Sequence, residues 1–127
     1  MASGGSRCGA GIAEAGTRDH AWKVERVAAA DTETWIAKLL EADVVWIEAP
    51  TNPLLDVADV AAICAAPRKQ GTRVVVDNTF ATPLLQQPLS LGADVVIHAA
   101  TKFLGGHSDL LMGAAVAKDE AQRELLI

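Results

Sequence analysis

Four side chains have types that could act together on one ligand: Asn52 in "EAPTNP", Asp77 in "VVVDNTF", and Thr101 with Lys102 in "ATKFLGGHSD". A lysine amine condenses with an aldehyde, and a carboxylate beside a pyridine nitrogen keeps that nitrogen protonated so that the ring can accept electrons. Pyridoxal phosphate needs both groups, and Lys102 and Asp77 supply them. The lysine must react as the free amine, which burial and nearby positive charge would favour. Thr101 is placed to offer a hydroxyl to the phosphate, and Asn52 to donate to the phenolic oxygen. Gly105 and Gly106 would let the chain turn sharply after the lysine.

Singly, each residue has a plainer explanation. Asn52 precedes a proline and forms turns well, Asp77 and Asn78 could simply start a turn, and Lys102 could be a solvated charge. Their positions along the chain favour the joint reading. "DVVWIE" (43–48), "RVVVDN" (73–78) and "DVVIHA" (94–99) read as three buried strands, and ligands in open parallel sheets bind beyond the carboxyl ends of the strands. Glu48 and Asn52 follow the first strand, Asp77 and Asn78 the second, Thr101 and Lys102 the third.

The intervening segments complete an alternating pattern. "VERVAA" (24–29) alternates like a short half-exposed strand, and "DTETWIAKLLEA" reads as a helix capped by Asp31 with Trp35, Ile36, Leu39 and Leu40 on one face. A second helix is expected after the "APTNP" loop, capped by Asp56, burying Val57, Val60, Ala61 and Cys64, and ended by Pro67 and Gly71. "GAAVA" (113–117) suggests a fourth strand and "DEAQRELLI" a last helix, with an apolar end at Leu125, Leu126 and Ile127 that would ordinarily pack on something. Strands alternating with helices imply an α/β fold: a mostly parallel sheet flanked by helices. Residues 1–23, rich in Gly, Ala and Ser at first, read as an irregular lead-in, and residues 24–127 as the folded domain.

With 127 residues the chain can form one domain with a core. Sixteen acids against eleven bases, with no basic cluster longer than Arg68 and Lys69, argue against nucleic acid as a partner. The two cysteines, Cys8 and Cys64, match no disulfide or metal spacing. No signal peptide or membrane-spanning run is evident, so a cytoplasmic chain without a membrane partner is expected. His98, His107 and Asp109 follow no metal-ligand pattern, and no metal is expected.

"EAPTNP", "VVVDNTFATPLLQQPL" and "GADVVIHAATKFLGGHSDLLMG" resemble the trans-sulfuration (Cys/Met metabolism) family of pyridoxal-phosphate enzymes, which includes cystathionine gamma-synthase, cystathionine gamma-lyase and methionine gamma-lyase. The resemblance implies part of the large domain of a fold-type I pyridoxal-phosphate transferase. It makes Lys102 the lysine that binds the cofactor and moves protons, Asp77 the pyridinium partner, Asn52 the ligand of the cofactor oxygen and Thr101 a phosphate ligand. It also implies sulfur-containing or activated homoserine-type amino acids as substrates, and homotetramers among full-length relatives.

The chain departs from the family in three respects. Ala99 stands where a phosphate-binding serine is usual, a loss of about 1.5–3 kcal/mol in cofactor binding if nothing replaces it, and Ala49 stands where serine or threonine is common. The upstream cofactor loop and the downstream domain of the family are not matched. There is no tyrosine. The expectation is therefore a fragment carrying the lysine half of a site, with no turnover alone. A noncatalytic structural remnant is the alternative. A phosphoryl-accepting receiver domain fits less well, because Thr101 and Lys102 are adjacent and no early acidic pair is present.

Overall fold

The computed structural model describes residues 23–127, so the lead-in expected over residues 1–23 lies almost wholly outside the described residues. Helix α1 spans Thr32–Lys38, and the Asp31 carboxylate caps it by accepting the Thr34 N–H at 3.1 Å. This satisfies one of the amides that a helix start leaves without a partner. Glu33 in its first turn and Lys38 in its last suit the helix dipole. Leu39 is fully buried, but Leu40 lies beyond the C-cap and is 59% exposed, so only part of the expected apolar face packs.

Strand β1 (Val44–Glu48) is followed by helix α2 (Val60–Ala65) and strand β2 (Arg73–Asp77). Two short helices, α3 (Thr82–Leu85) and α4 (Pro88–Leu91), lead to strand β3 (Val95–His98). Strand β4 (Ala114–Ala117) and helix α5 (Glu120–Glu124) complete the fold. The strands form one sheet in the order β1-β2-β3-β4, parallel except for β4, which runs antiparallel to β3. The α/β architecture read from the sequence is therefore present.

Register decides which apolar residues enter the core. Val45 and Ile47 of β1 lie beside Val74 and Val76 of β2, and all four join Leu39, Val60 and Ile63 in one buried cluster under α1 and α2. Each such side chain, fully buried, contributes about 1.5–3 kcal/mol relative to exposure. Successive strand residues face opposite sides, so Val44 and Trp46 point away from this cluster and remain 45% and 43% exposed. β1 is thus half-buried, not the fully buried strand expected. It is an edge strand whose second face no described element covers. Of the two strands flanked on both sides, β2 and β3, only β2 buries three successive valines.

Two further expectations are corrected. "VERVAA" forms no strand: it has no ladder partner, and the Ala28 carbonyl instead accepts the Asp31 N–H and the Trp35 indole N–H, both at 3.0 Å. Helix α2 is capped by Asp59, whose carboxylate accepts the Ala62 N–H at 2.9 Å, not by Asp56. Asp56 belongs to the preceding loop, where its N–H donates to the Thr51 hydroxyl and its carbonyl accepts the Thr51 N–H. The later start moves the buried face to Val60, Ile63 and Cys64, leaving Val57 and Ala61 exposed. Leu125, Leu126 and Ile127 are exposed as well, at 60%, 50% and 95%.

Candidate functional site

The parallel strands deliver their carboxyl ends to one edge of the sheet, and Asp77, the last residue of β2, lies between Glu48 of β1 and Ile97 of β3. Thr79 fixes its orientation. Asp77 Oδ1 accepts the Thr79 N–H at 3.0 Å and the Thr79 hydroxyl at 2.6 Å, a turn in which an aspartate bonds the backbone two residues on. The same hydroxyl oxygen accepts the Ala99 N–H at 2.8 Å. Thr79 thereby ties the end of β2 to the loop after β3 and aims the aspartate. Among the described residues Asp77 forms no ion pair.

Asn52 and Asp77 line a single cleft of about 120 Å³, together with Glu48, Thr79, Phe80 and Ala99. Pockets that enclose a small molecule hold roughly 300–1,000 Å³, so this cleft alone is too small to enclose one. The Ala99 side chain brings no hydroxyl to its lining.

Lys102 stands on the turn that follows. Its N–H donates to the Ala99 carbonyl at 2.9 Å, the Gly105 N–H to the Ala100 carbonyl at 2.7 Å, and the Gly106 N–H to the Lys102 carbonyl at 2.8 Å. The two glycines are required here. A Cβ on Gly105 would sit 2.9 Å from the Ala100 carbonyl oxygen, and Gly106 has φ of +79°, a conformation that costs other residues energy. Phe103 meets Phe80 edge to face, with ring centroids 5.8 Å apart, and so fastens the lysine turn to the wall of the cleft. The Lys102 side chain itself is exposed and does not line the cleft. The burial expected around this amine is not found, because no described element covers the turn.

Thr101 is engaged elsewhere. Its hydroxyl donates to the Met112 carbonyl at 3.2 Å and accepts the Met112 N–H at 3.0 Å, which uses the one proton a hydroxyl can give. A phosphate role would require exchanging Met112 for the phosphate. Asn78 is wholly buried and binds Gln86 through both ends of its amide, so it serves the turn after β2. His98 is buried and His107 exposed, and among the described residues no three His, Cys, Asp or Glu side chains are grouped to hold a metal ion.

Reading the sequence alone overlooked Thr79 and Phe80. The Asp-x-Thr spacing was a usable signal for the first, since it is the signature of the turn that holds Asp77. Nothing local marked Phe80, whose place depends on Phe103 twenty-three residues later.

The family model for Cys/Met metabolism PLP-dependent enzymes matches residues 12–126. The chain belongs to this family. Cystathionine gamma-synthase of Mycobacterium leprae is 58% identical over 76 residues, covering 60% of this chain and 20% of that protein. A putative cystathionine gamma-lyase 2 of Caenorhabditis elegans is 44% identical over 112 residues, 84% of this chain and 28% of its own length. The crystal structure of cystathionine gamma-synthase from Xanthomonas oryzae in complex with cystathionine superimposes with a TM-score of 0.62 at 48% identity, covering 66% of this chain and 22% of that one. The chain thus spans between a fifth and just over a quarter of these relatives.

This family uses pyridoxal phosphate, and the residues present suit it unevenly. At the ring they fit: a carboxylate held in place without a cationic partner faces the same cleft as an amide. At the phosphate they fit less well, because Ala99 offers no hydroxyl and that of Thr101 is already committed.

Proposed function

We propose that this chain carries one wall of a pyridoxal-phosphate site from a cytoplasmic trans-sulfuration enzyme, with Lys102 on the turn fastened to that wall. The substrates of such an enzyme would be cystathionine, homocysteine or methionine, or O-acylated homoserine. The observation that carries the proposal is the single cleft shared by Asn52 and Asp77, whose Phe80 wall is joined to the Lys102 turn. The cystathionine named in the Xanthomonas complex supports the substrate class.

Each residue would have a distinct task. Asp77, aimed by Thr79, would hold a proton on the ring nitrogen, and Asn52 would donate its amide N–H to the phenolic oxygen. The Lys102 amine would bind the aldehyde and, once displaced by the substrate amine, carry the alpha proton. The cofactor supplies an electron-accepting ring that weakens bonds around the substrate's alpha carbon. One wall does not exclude water or grip a substrate carboxylate, so the isolated chain is expected to show no amino-acid turnover above background.

Titrating pyridoxal phosphate into the 127-residue chain tests the reading. A visible absorption band should appear, and Lys102→Ala should abolish it while leaving the urea midpoint unchanged, since Lys102 is exposed. A flat spectrum from a cooperatively folded wild-type chain would favour the noncatalytic remnant instead.

A further inference from the structure

The register that places Asp77 also places Glu48. The two are partners across the parallel strands β1 and β2. Register partners project from the same face of a sheet, and neighbouring strands are about 4.8 Å apart. Two carboxylates therefore stand abreast at the mouth of one cleft, both lining it.

Their surroundings differ. Asp77 is held by the N–H and hydroxyl of Thr79, whereas Glu48 is exposed and makes neither a side-chain hydrogen bond nor an ion pair among the described residues. The cations that do form ion pairs, such as Arg68, Lys69 and Lys118, serve Asp94 and Asp43 at the other end of the strands. Like charges on paired positions of neighbouring strands repel unless a cation faces both. The lining of the cleft thus holds two carboxylates and no cationic side chain.

We infer that Glu48 is a second carboxylate of the cofactor cleft, one that adds to the field of Asp77 and favours a ligand whose ring nitrogen is protonated. The inference rests on the pyridoxal-phosphate reading above and extends it by one residue. It predicts a selectivity that a merely structural glutamate would not produce.

The test uses two probes on the full chain: pyridoxal phosphate, and its deaza analogue, in which carbon replaces the ring nitrogen while aldehyde, phenol and phosphate remain. Glu48→Gln should weaken pyridoxal phosphate about threefold to tenfold and leave the analogue within about twofold. Glu48→Asp, which keeps the charge, should retain most of the preference. Equal losses for both probes, or no loss for either, would overturn the role of Glu48 while leaving the cofactor reading intact. A wild-type chain that binds neither probe would remove the cofactor reading, and this inference with it.

Discussion

Asp94 and Asp77 lie at opposite ends of the same sheet, one just before β3 and the other closing β2, and their surroundings differ in kind. Asp94 is satisfied from within: Oδ2 accepts Arg68 Nη1 at 2.7 Å and the Val74 N–H at 2.9 Å, and its side chain is 8% exposed. Asp77 has the backbone and hydroxyl of Thr79 but no cation, and it opens on a cleft. A carboxylate paired inside the protein secures the fold, whereas one held in place and left without a counter-charge is available for a ligand. Residue type does not distinguish these roles, but partners do.

Removing Asp94 should produce the largest change. In Asp94→Ala the Arg68 guanidinium loses its ion pair and the Val74 N–H its acceptor, and breaking such a buried pair from one side costs about 3 kcal/mol. Urea denaturation should show that loss. A stability within about 0.5 kcal/mol of wild type would mean that Asp94 is no more structural than Asp77.

Next in size is an alkaline effect at the same packed end. Burial pushes the Cys64 thiol up to about 11 from its ordinary 9.0, Arg68 opposing the shift and Asp94 adding to it. As pH rises past 9 the unfolded thiol ionises first, so the folded state retains a proton that the unfolded state has lost. Stability should therefore fall between about pH 9 and 11, with a total approaching roughly 2–3 kcal/mol. Below that window both states keep the proton and no dependence arises. Cys64→Ala should flatten this part of the stability profile relative to wild type. An unchanged alkaline slope would show that the thiol is not shielded as its 7% exposure implies.

The same contrast explains how much could be read in advance. The central strands and the residues at the carboxyl edge were legible because hydrophobic runs and punctuation are local signals: "RVVVD" and the acid that ends it lie where the pattern predicts. Partners were not legible, because they depend on contacts distant in sequence. Nothing near Asp94 announces Arg68, twenty-six residues earlier, and nothing near "EAPTNP" says whether β1 will be covered on its second face. The choice between Asp56 and Asp59 as a cap was ambiguous for a different reason. Both residues precede an apolar helical pattern, and the Thr51 hydrogen bonds that claim Asp56 form only once the loop closes. Lys102 illustrates the remaining limit: its motif fixed the turn through Gly105 and Gly106 but not whether anything would cover the amine.

The smallest expected effect probes what holds Asp77. Thr79→Val keeps the shape of the side chain but removes the hydroxyl that donates to Asp77 and accepts the Ala99 N–H. Stability should fall by about 1 kcal/mol, the usual net worth of such hydrogen bonds. Pyridoxal-phosphate affinity should fall about threefold as the carboxylate loses a fixed orientation. Thr79→Ser should restore both, because the hydroxyl returns without the methyl group. If Thr79→Val lowers stability but leaves affinity untouched, Thr79 belongs with Asp94 among the groups that secure the fold, and the aim of Asp77 into the cleft must be set by its strand alone.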